Sequence, residues 1–189
     1  MGKLGGQLHD YANGLDRDPV RARHEREPVK SVGNGSTFPR NLTTRDQVSA
    51  GVRILADSVA GRLRRAGLYA GGVHVTVRDP EFHDRSRQRQ LAAPTRLIRD
   101  LSAAALALVE ELWKPPAPIR ALTVTAIHLT PEEETYEQGS LFSAGEEDRR
   151  RQERLEAAMD GIRQRYGSGS IAFGGLTPEE PEDGGSFRK

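Results

Sequence analysis

Apolar residues spaced three or four apart predict two helices in the centre of the chain. The first begins after Thr43 or Thr44, either of which can cap it, and runs to about Ala66, where a glycine follows. The second is predicted to begin at Thr95 and to stop before the proline pair at 115–116. Each helix has one apolar face, so both are expected to pack against a common core.

Four segments around these helices have strand character. They are residues 30–38, 73–78, 85–91 and 119–129, and the clearest is 73–78, where valines alternate with polar residues. The resulting order, β-α-β-β-α-β, predicts an α+β, ferredoxin-like domain with a four-stranded sheet and both helices on one face.

The other face of this sheet is expected to remain open. An open polar and basic face is suited to the phosphate backbone of a nucleic acid. Its predicted occupants are Thr76, Arg78, Arg87, Arg89, Thr123 and Thr125.

The two ends of the chain differ in character from the centre. Apolar residues at helical spacing predict a short helix within residues 1–15, followed by a charged segment that has the composition of a linker. Residues 148–166 have the spacing of another helix. Glycine, proline, serine and acidic residues dominate after it, which predicts a disordered tail at 174–189.

Charge is distributed unevenly although the net charge is only +1. Residues 30–130 hold fifteen basic and eight acidic side chains, whereas residues 131–189 hold eight basic and fourteen acidic ones. A basic domain followed by an acidic segment favours a polyanion ligand, although a solvated charged surface would give the same count.

Several classes of protein are disfavoured by composition. The chain has no cysteine, and its five histidines lack the spacing of metal ligands, so no metal site is assigned. No apolar run approaches the roughly 18 residues that span a bilayer. We expect a soluble, cytoplasmic protein, associated with the nucleoid if it binds DNA, and no membrane partner.

Several short segments resemble the C-terminal half of Y-family DNA polymerases of the DinB/UmuC, DNA polymerase IV-like type. The segment from Gly2 to Leu15 resembles the end of the family's helix-hairpin-helix thumb, and Lys30-Ser31-Val32-Gly33 followed by Thr37-Phe38 resembles the first strand of its little finger. The Ala93-Pro94-Thr95 and Pro118-Ile119-Arg120 segments match as well.

The resemblance implies a division of the chain. Residues 1–18 would be a thumb remnant, 19–29 a linker and 30–130 the DNA-binding little finger. Residues 131–145 would be a second linker, 146–173 a helical segment and 174–189 the disordered tail.

The resemblance also implies DNA contacts near the start of the little finger. The backbone amides of Ser31, Val32 and Gly33 would bind phosphates, with Lys30 adding positive charge. Arg87 and Arg89 would straddle the duplex backbone, although a solvated strand is nearly as good an interpretation of that segment. Primer-template DNA is the implied ligand.

A second short motif resembles the peptide by which bacterial polymerases engage the sliding clamp. Gln138, Leu141 and Phe142 follow the Gln-x-x-Leu-Phe pattern, in which the glutamine forms hydrogen bonds and the Leu-Phe pair enters an apolar groove. Local packing of these two apolar residues on the domain is the alternative. Gly139 departs from the pattern, because a larger residue is usual there.

The catalytic half of such an enzyme has no counterpart in this sequence. Two-metal phosphoryl transfer needs carboxylates from a palm domain, and no Asp-Glu pair follows an apolar strand here. The chain is therefore expected to need no cofactor, whereas the full family enzyme would use magnesium. It would not polymerise by itself, and a separate palm-containing chain is a possible partner.

Three functions are compatible with the sequence. The favoured one is a little finger with a clamp-binding segment that binds damaged DNA in translesion synthesis, DNA repair and the SOS response. A stand-alone clamp-binding adaptor without polymerase activity is the second. The third is an unrelated ferredoxin-like domain such as an RNA binder, which is disfavoured because the strands at 73–78 and 119–129 lack aromatic residues for base stacking.

Overall fold

The computed structural model describes residues 3–15, 28–134 and 144–172. These ranges contain four strands, four α-helices and one 3₁₀ turn. In chain order they are α1 Lys3–Ala12, β1 Ser31–Leu42, α2 Arg45–Ala66, β2 Leu68–Arg78, β3 Asp84–Thr95, α3 Ile98–Leu112, β4 Ile119–Pro131, the 3₁₀ turn Glu132–Glu134 and α4 Ala144–Tyr166.

The four strands form one sheet in the order β1-β4-β2-β3, and every neighbouring pair is antiparallel. With α2 and α3 between the strands in sequence, this is the predicted βαββαβ arrangement. The predicted fold class is therefore confirmed. β1 and β3 are the two edge strands of this sheet, and each has one side without a strand partner among the described residues.

Helix α2 begins and ends where its sequence predicts. The Thr44 hydroxyl accepts a hydrogen bond from the Gln47 amide, and the Gln47 side chain accepts one from the Thr44 amide, both at 3.3 Å. This reciprocal pair is a capping box, which satisfies amides that the first turn leaves unpaired. Gly67 ends the helix at φ 63°, in the left-handed region that disfavours side chains.

The start of the second central helix was predicted wrongly. Thr95 is the last residue of β3, and α3 begins only at Ile98. The Thr95 hydroxyl accepts from the Leu97 amide at 3.2 Å and donates to the Asp100 carboxylate at 2.7 Å. Its side chain thus organises the loop before the helix rather than capping the helix itself.

The hydrophobic core lies between α2, α3 and one face of the sheet. The strands contribute alternate residues to it, and the helices contribute residues three or four apart, as expected for one-sided burial. The largest fully buried side chains of the sheet and the two helices are Leu55, Leu63, Leu101, Leu108, Ile119, Leu122, Val52, Val59, Val73 and Val75.

The two remaining helices both expose apolar side chains, but α4 also has a buried side. Leu4 and Leu8 of α1, and Leu15 three residues after its end, are more than half exposed. In α4, Met159 and Glu156 are buried, which shows that one side of this helix is covered by the domain. None of the helices in the described ranges is both long and apolar enough to cross a membrane.

Candidate nucleic-acid interface

The sheet face opposite α2 and α3 is formed by small and polar side chains. Because Val75 and Val124 point into the core, their neighbours Thr76, Thr123 and Thr125 point the other way, where they remain partly exposed. Thr76 lies directly opposite Thr123 in the β2–β4 pairing. Three of the predicted residues are thus together on the open face.

Arg78 also lies on the open face, but its charge is already paired. Its guanidinium donates two hydrogen bonds to the carboxylate of Asp84, each at 2.7 Å, across the β2–β3 hairpin. The hydrogen bond from Arg78 lowers the pKa of the Asp84 carboxyl below its usual range. The pair therefore stays ionised at neutral pH, and it adds little net positive charge to this face.

The edge strand β1 approaches β4 unusually closely at two glycines. A Cβ atom at Gly33 would lie 2.7 Å from the Thr125 hydroxyl oxygen, and one at Gly35 would lie 2.5 Å from that of Thr123. Such proximity is typical of the positions in an antiparallel pair whose own N–H and C=O groups do not bond to the partner strand. Consistent with this, the Gly33 carbonyl accepts a hydrogen bond from Arg62 of α2, at 2.6 Å.

This alternation separates the three amides predicted to bind phosphates. In that pattern the N–H groups of Ser31 and Gly33, which are two residues apart, face away from β4 and towards the edge of the sheet. The N–H of Val32 is directed towards β4, and its side chain is buried on the helix side. Lys30 is exposed and immediately precedes the strand, so its position suits the predicted contribution of charge.

Arg87 and Arg89 do not lie on the open face, contrary to the prediction. In the β2–β3 pairing they are opposite Val75 and Val73, and residues directly opposite each other share a face. They therefore point to the helix side of the sheet. There, both guanidiniums bond to the carboxylate of Glu111 near the end of α3.

The predicted clamp-binding residues, Gln138, Leu141 and Phe142, lie outside the described residues. The described elements on either side of them are both fixed to the domain. On one side, Arg96 forms two hydrogen bonds with Glu132, at 2.8 and 3.0 Å. On the other side, α4 is held by the contacts described next.

Helix α4 is fixed to the domain by charged groups that the spacing of apolar residues did not predict. Glu156 is fully buried, bonds to Arg64 at 2.5 Å and accepts a hydrogen bond from the Ile98 amide at 3.1 Å. Because Leu97 provides no side-chain cap for α3, this carboxylate supplies one from another helix. Arg64 also bonds to Asp160, at 2.7 Å.

Burial determines the protonation behaviour of this carboxylate. It raises the pKa of Glu156 above the usual glutamate value, and Arg64 and the Ile98 amide offset that effect only in part. Further along the helix, another ion pair joins Arg163 to Asp57 of α2 through two hydrogen bonds, at 2.8 and 2.7 Å. Among the described residues, no group of three or more possible metal ligands is present.

Comparison with known proteins agrees with this geometry. The βαββαβ arrangement with a polar sheet face opposite the helices is that of a ferredoxin-like domain. Residues 29–141 match the impB/mucB/samB family C-terminal domain, and the chain belongs to that family. This is the C-terminal domain of Y-family DNA polymerases, in which it is called the little finger.

Curated relatives support the same assignment. The chain is 35% identical over 176 residues to DNA polymerase IV of Acetivibrio thermocellus, covering 92% of this chain and 43% of that protein. It is 35% identical over 167 residues to DNA polymerase IV of Moorella thermoacetica, covering 88% and 40% respectively. The chain thus spans less than half the length of the curated relatives it matches.

A solved structure shares the fold. A Y-family DNA polymerase chimera, Dbh-Dpo4-Dbh, superposes with a TM-score of 0.50 at 16% sequence identity. The match covers 69% of this chain and 36% of the chimera. At this level of identity the likeness supports the fold alone.

Proposed function

We propose that this chain binds primer-template DNA as the little finger of a Y-family translesion polymerase, independently of base sequence. The observation that carries the proposal is the free polar sheet face bounded by the open edge of β1, on a domain of this family. Threonine hydroxyls and outward amides bind phosphate oxygens, which have the same chemistry at every base pair.

The basic residues that accompany this surface lie near both edges of the sheet. Lys30 and Arg62 are near β1, and Arg87 and Arg89 are on the helix side of β3. A duplex backbone following the sheet would therefore meet positive charge at both edges. Polymerisation belongs to a palm domain that would supply the magnesium-binding carboxylates, either in a longer protein or in a separate chain.

The proposal is tested by fluorescence anisotropy of a labelled primer-template duplex titrated with the chain at several salt concentrations. If about four phosphates are neutralised, the logarithm of the binding constant should fall with the logarithm of salt at a slope of about −3 to −4. Replacing Arg87 and Arg89 together by alanine should weaken binding and flatten that slope. No binding at low salt would refute the proposal and leave the clamp-binding adaptor as the better one.

We also propose that Gln138, Leu141 and Phe142 bind the sliding clamp. Support comes from the motif and from its place immediately after a domain of this family. Leu141→Ala combined with Phe142→Ala should abolish binding to immobilised clamp while leaving the anisotropy titration unchanged. Equal clamp affinity of the double variant and the unmodified chain would contradict the assignment. A cytoplasmic location follows from the proposed DNA-binding role.

A further inference from the structure

The outer strand of the sheet carries a row of three arginines on its helix side. Arg85, Arg87 and Arg89 are opposite Val77, Val75 and Val73 in the β2–β3 register, so all three share one face. At about 3.3 Å per residue, neighbours in this row are separated by about 6.6 Å along the strand. Unlike the core-facing valines of β2, the arginines are exposed, because β3 is the sheet edge.

A single carboxylate engages two members of this row. One oxygen of Glu111 accepts from Arg87 and the other accepts from Arg89. All three side chains remain partly exposed, at 55% for Arg87, 47% for Arg89 and 35% for Glu111. Beyond its backbone pairing with β2, the side chain of Arg85 has no hydrogen bond or ion pair within the described part of the chain.

This arrangement has the chemistry of a guanidinium–phosphate contact. A carboxylate and a phosphate both present oxygens that accept hydrogen bonds from a planar guanidinium. The Glu111 carboxylate therefore occupies the donors that a DNA phosphate would use. An exposed pair of this kind is worth only about 0–1 kcal/mol, so a ligand can displace it.

We propose that Glu111 sets the DNA affinity of this strand, by holding Arg87 and Arg89 in the free protein and releasing them to phosphates in the complex. The inference rests on the proposed DNA binding and adds a residue that opposes it. Because Glu111 and the phosphates compete for the same guanidinium groups, the carboxylate weakens binding. Arg85, whose side chain has no partner among the described residues, would make the first contact with the DNA backbone.

The test compares two variants that each remove one negative charge from α3. Glu111→Gln removes the competing carboxylate with little change of shape. Glu110→Gln makes the same change one residue earlier, at an exposed side chain for which no contact with these arginines is found. Anisotropy titration of the same duplex at low salt measures both, and thermal unfolding checks that both variants stay folded.

Glu111→Gln should bind the duplex ~5-fold more tightly than the unmodified chain, and its salt slope should be steeper by about one. Glu110→Gln should change the affinity by less than about twofold, because its charge is not in contact with the arginines. In a background with Arg87 and Arg89 replaced by alanine, the gain from Glu111→Gln should disappear.

Two results would overturn the inference alone while DNA binding itself stands. One is equal affinity of the Glu111→Gln and Glu110→Gln variants, and the other is a gain that persists without Arg87 and Arg89. Absence of binding by the unmodified chain and by both variants would overturn the inference together with the function on which it rests.

Discussion

Glu111 and Glu156 are two carboxylates with similar partners and different surroundings. Glu111 accepts hydrogen bonds from two guanidiniums, and Glu156 accepts them from one guanidinium, a helix amide and the side chain of Gln152. Glu111 is 35% exposed at the edge of the sheet, whereas Glu156 has no exposed surface between α4 and the domain.

Because the two carboxylates differ in exposure, we expect Glu111 to affect ligand binding and Glu156 to affect stability. An exposed pair gains little because water competes for the same groups, so its arginines remain available to a ligand. Removing the buried Glu156 leaves the Ile98 amide without its acceptor, and it takes from Arg64 one of two carboxylate partners, the other being Asp160. The comparison therefore predicts that equivalent substitutions at the two sites act on different properties of the protein.

The largest expected effect is the loss of stability when the buried carboxylate is removed. Glu156→Ala should lower the free energy of unfolding by about 3 kcal/mol, since Arg64 loses a partner and the Ile98 amide loses its acceptor. Urea unfolding followed by circular dichroism measures this. Glu147→Ala is the matched control, an exposed glutamate of the same helix, and should change stability by less than about 0.5 kcal/mol. Equal effects of the two substitutions would break the comparison.

A smaller effect is expected in the pH dependence of stability. The pKa of Glu156 is raised in the folded protein, so folding takes up a proton at this site. The stabilisation that this proton uptake gives is complete below about pH 4, near the usual pKa of glutamate. It is lost as pH rises through the raised pKa of Glu156. The stability of the unmodified chain relative to Glu156→Gln should therefore fall as pH increases through this window.

Urea unfolding of both proteins at stepped pH gives this difference directly. The Gln variant carries no titrating group at position 156, so the charged neighbours Arg64, Asp57, Asp160 and Arg163 contribute to both curves. A difference that stays constant, or rises with pH, would show that burial does not dominate at this carboxylate.

The smallest effect is expected from Glu111→Gln on stability. Because both of its partners are about half exposed, the free energy of unfolding should change by less than about 0.5 kcal/mol. The same urea titration measures this change, which is compared with the changes measured for the Glu156 variants. A loss as large as that of Glu156→Ala would place the β3 edge among the structural contacts and weaken its assignment to DNA binding.

The sequence predicted the elements well where apolar periodicity was strong. Both boundaries of α2 and the inward valines of β2 are as expected, because capping residues and one-sided burial leave local signals. Arg87 and Arg89 were correctly predicted to share a face, but the face was wrong. β3 is polar on both sides, so only the pairing register with β2 determines which side each arginine occupies.

The role of α4 could not be predicted from its pattern. Glu156 is one of several glutamates in a charged helix, and nothing local distinguishes it from its exposed neighbours. Its burial depends on Arg64 and Ile98, which are 92 and 58 residues away in the chain. A carboxylate at helical spacing with Met159 was the available signal, since both occupy the same side of α4.

The contact of Glu156 with α3 also shows that α4 is part of the folded unit. The match to the family covers residues 29–141, before α4 begins, yet the amide at the start of α3 is satisfied by a residue of α4. Truncation at residue 141 would remove that acceptor and would expose the surface of the domain against which Met159 packs. Fragments or fusions intended to preserve the domain should therefore include the whole of α4.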